Sequence, residues 1–341
     1  MISQEILTAA EAVVTAAGLG PLEQVQALPG GANNQVFRLV CKKRIVVLKS
    51  YFRDPGDTRD RLEAEYAFIN FAWNHGLHCV AEPLGQDHDT GIALYGFLPG
   101  RAMKPSHITP ETMRQALDFF LTLNTHRRAA DAIGLGPSSE ACFSIKAHIS
   151  TVDRRIAQLA SITGNASIDR DARSFVEEEL TPCWQNLSRE VGSRASGADT
   201  SAGRIISEGE RCLSPSDFGF HNALLDDDGM VRFVDFEYAG WDDPAKMVGD
   251  FFNQVAIPVP AAHLPNFVDA VAGLSPEPDT TRVRIELLMP VYCCKWICII
   301  LNDFLPADAR RRHFAAAATT EETETRKKKQ LAKARRKLAE L

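Results

Sequence analysis

The stretch Ser214-Pro215-Ser216-Asp217-Phe218-Gly219-Phe220-His221-Asn222 sets a carboxylate five positions ahead of a side-chain amide, and a second carboxylate, Asp235, lies near the end of the apolar run 230–237. Moving a phosphoryl group from a nucleotide to an alcohol asks little covalent work of a protein. It needs one carboxylate to orient the attacking hydroxyl, and an amide and a second carboxylate to hold Mg²⁺ against the phosphates. Asp217 suits the first task, and Asn222 with Asp235 the second. The turn residues Asp226, Asp227, Asp228 and Gly229 lie between them, so a hairpin there returns Asp235 to the 217–222 loop. An Asp and an Asn at this spacing arise by chance about once in a chain of this length. The weight therefore rests on the parts that accompany them.

Upstream, Gly30 and Gly31 stand between two β-like runs, where a loop without side chains lets backbone N–H groups close on a triphosphate; a plain hairpin turn has the same composition. Lys49 ends the run Ile45-Val46-Val47-Leu48-Lys49 and offers a flexible cation to the α- and β-phosphates, the alternative being a solvated lysine at a strand end. A lysine used in this way needs a carboxylate to hold it. Glu65 is the candidate on the following helix and Glu63 the alternative; helix phase alone leaves the choice open.

The elements that must position these groups follow from periodicity and turn chemistry. Apolar residues at helical spacing predict a helix over 3–17, and short β-branched or alternating runs predict strands over 23–28, 35–40 and 44–49, together an antiparallel sheet. Leu62, Tyr66, Ile69 and Trp73 share one face of a helix predicted over 57–75, followed by strands near 79–84 and 91–97. Leu98-Pro99-Gly100 breaks the pattern, and beyond it nearly every periodic segment is helical, beginning at Thr109 as a cap with Pro110 in the first helical position. Further helices are expected over 143–160, 169–191, 282–305 and 321–341, with a Gly-, Ser- and Ala-rich loop over 192–203. The fold class is therefore α+β in two lobes, divided near residue 100 into 1–100 and 101–341.

With these residues in place the chain resembles the aminoglycoside phosphotransferase and choline kinase family, from about residue 28 to residue 252. Members have a two-lobed, protein-kinase-like fold, with a GlyGly-x-x-Asn loop, a strand lysine, a helix glutamate, a hinge strand ending in ProGly, an Asp-x-x-x-x-Asn loop and a strand aspartate in that order. Here Gly30, Gly31, Asn34, Lys49, Glu65, the segment from Tyr95 to Gly100, Asp217, Asn222 and Asp235 occupy those places. The resemblance implies ATP and Mg²⁺ as cofactors, with the backbone from Tyr95 to Phe97 meeting the adenine, Lys49 the phosphates, Asp217 the substrate hydroxyl, and Asn222 and Asp235 the metal. It also implies transfer of the γ-phosphoryl of ATP to a hydroxyl of a small metabolite. The chain departs from the family at two points. Pro215 stands where a histidine usually precedes the catalytic aspartate, and Met247 stands where many relatives place an aspartate that braces the loop, a task open to Asp243 or Asp250.

A nucleotide-binding pseudokinase is the main rival, motivated by Pro215; against it stand all three groups for metal and hydroxyl. A protein kinase is disfavoured by Asp235-Phe236-Glu237 in place of Asp-Phe-Gly and by the lack of an Ala-Pro-Glu segment. Net charge −6 and a pI near 5.9 give no general attraction for nucleic acid or anionic membrane. The basic run at the end, Arg326 to Lys337, is read as the solvated face of a terminal helix. The start of the chain lacks the features of a signal peptide and the apolar segment 285–305 carries charged residues and a proline, so a cytoplasmic protein with a buried helix is expected. Eight scattered cysteines read as reduced thiols, those at 293, 294 and 298 as core. For the acceptor the hints conflict. Glu237, Trp241 and Asp242, with an aromatic set of Tyr238, Trp241, Tyr292 and Trp296, would suit a cation, whereas Lys295 would suit an anion.

Overall fold

The computed structural model describes residues 2–28, 34–53, 59–129, 134–197, 204–305 and 320–341. The chain divides into two compact units: residues 1–137 with 215–240, and residues 138–214 with 241–341.

In the first unit, α1 (Gln4–Ala16) is capped by Ser3 and buries Ala9, Ala10, Val13 and Val14, an i, i+4 pattern that makes one apolar face. That face covers an antiparallel sheet of β1 (Leu22–Leu28), β2 (Gln35–Cys41), β3 (Ile45–Ser50), β4 (Pro83–Asp87) and β5 (Ile92–Gly96), in the order β1-β2-β3-β5-β4. Side-chain alternation along β3 puts Val46 and Leu48 beneath α1 with Phe37, Leu39, Ile92 and Leu94, and so turns Lys49 to the other face. There α2 (Arg61–Asn74) lies against β4 and β5, its N-terminus capped by the Asp60 carboxylate on the Glu63 N–H. The strand expected over 79–84 begins only at Pro83, because the Cys79 carbonyl accepts the Phe233 N–H at 2.9 Å instead of entering the sheet. α3 (Pro110–Thr125) opens with Thr109 as cap and Pro110 in its first turn, as expected. A small sheet of β6 (Arg101–Ala102), β7 (Ala223–Leu225) and β8 (Val231–Phe233) completes the unit.

The second unit is almost wholly helical: α4 (Ile145–Leu159), α5 (Ser167–Ser174), α6 (Thr181–Gly197), α7 (Pro244–Asn253), α8 (Leu264–Ala272), α9 (Pro278–Leu301) and α10 (Thr320–Leu338). Its axis is α9, buried over most of its length from Leu287 onward and packed by α4, α6, α7, α8 and α10. The most apolar window of this helix is 72% buried inside the protein, which marks a core helix of the unit and not a lipid-facing one. Burial pushes the Cys293 and Cys298 thiols up to about 12, so they remain protonated core groups. Gly249 of α7 allows a close approach, since a Cβ there would fall 2.4 Å from the Tyr292 ring. α10 docks through Leu331 and Ala334 and through a 2.7 Å pair of Lys327 with Asp169, while its other basic residues are exposed or half-buried.

The loop expected over 192–203 is helical in its first part. Residues 192–197 are helical, not loop, because Val191 and Ala195 lie four apart on a buried stripe that carries α6 past Gly192. α5 runs into α6 through the π-helical turn Phe175–Leu180.

Several charges of the second unit are buried in pairs. Asp250 meets Lys295 at 2.9 Å and the Trp296 indole N–H at 2.9 Å, and Asp242 meets Lys246 at 2.6 Å. Asp243 takes Arg284 at 2.6 Å and His148 Nε2 at 3.0 Å, while His148 Nδ1 lies 2.6 Å from the Tyr292 hydroxyl. Burial opposes charging of His148, yet the hydrogen bond to Asp243, supported by Cys142, holds its pKa up to about 9. That value lies above the roughly 6.5 of an unfolded histidine, so the stabilisation, roughly 3 kcal/mol, is complete below about pH 6.5 and is lost as pH climbs through about 9. Thermal midpoints of wild type should therefore fall between pH 6.5 and 9.5 more steeply than those of His148→Asn; parallel curves would refute a charged His148.

Candidate active site

β7 and β8 form the hairpin expected around residues 226–229, in the register Ala223↔Phe233 and Leu225↔Val231. Its turn is closed by the Gly229 N–H on the Asp226 carbonyl at 3.2 Å, with Gly229 at φ +78° and the Asp226 carboxylate accepting the Asp228 and Met230 N–H groups. The Val234 N–H bonds the Asn222 carbonyl at 3.0 Å, so the hairpin returns Asp235 to the 217–222 loop. β8 ends at Phe233, short of the expected 230–237 strand, because Asp235 adopts φ +68° and cannot continue the ladder.

Ser216 and Asp217 also lie in the left-handed region, at φ +47° and +42°. Non-glycine residues held there typically cost about 1–3 kcal/mol and persist only where the surroundings over-determine them. What determines them is aromatic. Phe218, next to Asp217, and Phe236, next to Asp235, are both buried, with ring centroids 5.7 and 6.1 Å from Phe119 of α3. Phe233 stacks on Phe119 at 4.8 Å and Phe68 of α2 meets Phe236 at 5.0 Å. Acid and phenylalanine thus alternate in sequence, the phenylalanine sunk in the core and the acid turned out of it.

Asp217 is pinned at both oxygens. Asn222 Nδ2 donates to Oδ2 at 3.2 Å and to the Asp217 carbonyl at 3.1 Å, and His221 Nε2 donates to Oδ1 at 3.2 Å. Because the amide nitrogen of Asn222 is committed to Asp217, its carbonyl oxygen is the end that could take a cation.

On the facing side, Lys49 Nζ lies 2.6 Å from Glu65 and 2.5 Å from Asp235, and it is nearly buried. Burial opposes its charge, but Asp235, Glu65 and Glu237 outweigh that and raise its pKa, so it is a cation at any working pH. The geometry decides between the two glutamates. Glu65 is buried, with Oε2 accepting from Lys49 and the Tyr51 hydroxyl and Oε1 from the Phe236 N–H, whereas Glu63 is exposed and faces His88 at 3.4 Å. One carboxylate therefore ties β3, α2 and the segment after Asp235.

Asn34 donates to Glu237 at 2.6 Å and accepts the Phe52 N–H at 3.1 Å, so its side chain ties the residue before β2 to both. Glu237 is itself buried and paired with Arg61 at 3.1 Å. Gly30 and Gly31 lie outside the described residues. Tyr95 is paired through β5 with β3 and β4 and shares a 2.9 Å hydroxyl contact with Tyr51, and the half-exposed Phe97 ring lies under Arg38. In the second unit Asp242 is fully buried, its carboxylate on Lys246 and the Ser138 hydroxyl, and Tyr292, Trp296 and Lys295 are taken up by His148 and Asp250. Trp241 gives its carbonyl to the Ser138 N–H. The first unit alone holds Lys49, Glu65, Asp217, Asn222 and Asp235.

Sequence reasoning did not single out Tyr51, Arg61 or His221. Tyr51 lies two positions from Lys49 and so on the same face, and His221 adjoins Asn222, signals that were open to it. The Arg61–Glu237 pair joins positions too far apart for any local pattern.

The model of the phosphotransferase enzyme family matches residues 24–284 of the chain. No curated protein sequence matches it. Among solved structures, a choline/ethanolamine kinase family protein from Mesorhizobium loti is 21% identical over 98% of both chains, with a TM-score of 0.54. Choline kinase LicA from Streptococcus pneumoniae is 12% identical over 99% of this chain and 100% of its own, with a TM-score of 0.59. Spectinomycin phosphotransferase APH(9)-Ia, in complex with ADP and spectinomycin, is 12% identical over 94% and 93%, with a TM-score of 0.62. These likenesses establish a kinase-like α+β fold.

Proposed function

The chain belongs to the phosphotransferase enzyme family, and on that premise we propose that it is an ATP- and Mg²⁺-dependent small-molecule kinase that transfers the γ-phosphoryl to a hydroxyl of a small metabolite. The observation that carries this is the single constellation of Lys49 on Glu65 and Asp235, with Asn222 and Asp217 on the loop beside Asp235. In this reading residues 1–100 are the ATP-binding lobe, with Gly30 and Gly31 at the phosphates and the backbone from Tyr95 to Phe97 at the base. Residues 101–341 bring the catalytic loop and the acceptor.

The donor set fits Mg²⁺. Asp235 and the amide oxygen of Asn222 are hard oxygens, and Mg²⁺ is commonly held by one or two carboxylates with phosphate oxygens completing its shell. Bound there, Mg²⁺ would neutralise charge on the phosphates. Lys49, held by Glu65, would cradle the same phosphates, and Asp217 would orient the acceptor hydroxyl and take its proton.

Thermal-shift titration with ATP and with GTP, each with and without Mg²⁺, tests the nucleotide site, because a ligand bound only by the folded protein raises its stability by mass action. A Mg²⁺-dependent shift is expected in wild type and its loss in Asp235→Asn. No shift with either nucleotide would favour a degenerate kinase fold acting as a binding module. With a shift in hand, the acceptor screen starts with choline, ethanolamine and spectinomycin, the compounds in the names of the similar structures.

A further inference from the structure

Within the kinase reading, we propose that His221 is a positioning residue that fixes the carboxylate of Asp217 for proton transfer from the acceptor hydroxyl. A carboxylate offers about four lone-pair directions, and a base must keep one aimed at the incoming O–H. The Asp217 side chain is 36% exposed, so packing alone does not stop its carboxylate plane from turning. Two donors from consecutive residues of its own loop do. Asn222 Nδ2 takes Oδ2 and His221 Nε2 takes Oδ1, each at 3.2 Å, and this sets the plane and leaves the outer lone pairs for the substrate.

The N-terminal side of Asp217 offers no histidine for this work. The position two residues before it is Pro215, which has neither an amide hydrogen nor a polar side chain. The backbone at Ser216 and Asp217 sits at φ +47° and +42°, a conformation that does not hold itself.

The polar contacts of the ring also argue against a purely structural role. His221 is largely buried at 18% exposure, and its Nδ1 is buried without a hydrogen-bond partner among the described residues. The imidazole therefore ties the loop to no other element through hydrogen bonds: its polar bond runs back to the aspartate of its own loop. Buried polar atoms without partners are rare enough in folded proteins to call for a reason. Aiming Nε2 at Asp217 supplies one.

The test compares His221→Gln, His221→Asn and His221→Leu in steady-state phosphotransfer, using the acceptor found by screening or water as acceptor in Mg²⁺-ATP hydrolysis. Glutamine places an amide N–H near the position of Nε2; asparagine reaches only as far as Nδ1, and leucine donates nothing. His221→Asn and His221→Leu should lower kcat about 10- to 100-fold with KM for ATP within about twofold, and His221→Gln should recover to within about threefold of wild type. Glutamine as slow as asparagine, or all three variants at the wild-type kcat, overturns the proposal. If His221→Leu fails to fold, the comparison of glutamine with asparagine decides alone. The kinase reading fails separately, when wild type shows neither a Mg²⁺-nucleotide thermal shift nor phosphotransfer; indifferent His221 variants of an active wild type defeat only the positioning role.

Discussion

Asp217→Asn should slow phosphotransfer by about 10²- to 10⁴-fold and leave Mg²⁺-ATP affinity near its wild-type value. The asparagine is isosteric and keeps the loop filled, so Phe218 stays on Phe119 and the hairpin that carries Asp235 is undisturbed. What it removes is an oxygen able to accept a proton. It also places an amide NH₂ opposite the two donors that now meet the carboxylate, His221 Nε2 and Asn222 Nδ2, so only one of them keeps an acceptor. Nucleotide contacts proposed for Lys49 and Asp235 do not pass through this atom. Single-turnover rates with a saturating acceptor, set beside nucleotide affinity from thermal shift, separate the two effects. A loss under tenfold, or an equal loss of rate and affinity, would remove Asp217 from the role of base.

The largest effect on stability is expected at Asp243. Its carboxylate meets Arg284 Nε and Nη2 at 2.6 Å and His148 Nε2 at 3.0 Å, and it caps α7 by accepting the Ala245 N–H at 2.8 Å. All three residues are 4% exposed or less. Arg284 and His148 hold the Asp243 carboxyl well below the usual carboxylate range even though burial opposes its charge. Asp243→Ala strands the Arg284 guanidinium and the His148 ring in the interior, and removing one partner of a buried pair typically costs about 3–5 kcal/mol. For a unit of this size that corresponds to roughly 10 °C in thermal midpoint. The double variant Asp243→Ala/Arg284→Met should recover part of the loss, since it removes the uncompensated charge as well. A double variant that melts below the single one would show that the network acts through something other than charge pairing.

Much of the first unit is legible from local pattern. α1, the strands β1 to β3, the Thr109-Pro110 start of α3 and the hairpin at residues 226–229 each follow from residues close in the chain. The partner of Lys49 is not legible in that way. Glu63 and Glu65 lie two apart on α2 and face different sides, and which side meets the sheet depends on how the helix docks. The left-handed backbone at Asp217 and Asp235 is likewise invisible, because aspartate tolerates that region without announcing it. In the second unit, acids and aromatics clustered just past Asp235 invite a substrate role by their types alone. Lys246, Lys295, Arg284 and His148 bury or occupy several of them, and only tertiary structure brings those partners near. The helix through Gly192 shows the same limit on a smaller scale, since Val191 and Ala195 hold it by contacts no propensity records.

The discontinuity of the first unit bears on how the molecule is made. On the ribosome, β1 to β5, Lys49, Glu65 and Phe119 are synthesised before any of residues 138–214, and Phe218, Phe233 and Phe236 come only after all of them. Until residue 236 has emerged, Phe119 lacks its full set of aromatic neighbours and Glu65 lacks the Phe236 N–H. Closing so long a loop carries an entropic cost that local contacts cannot offset early. A nascent chain halted within 138–214 would display the sheet and its lysine as an unfinished, apolar-faced intermediate, the kind of species chaperones retain. The candidate site is therefore assembled late in synthesis, when the second visit of the chain to its first unit seals the core and sets the 217–222 loop in one step.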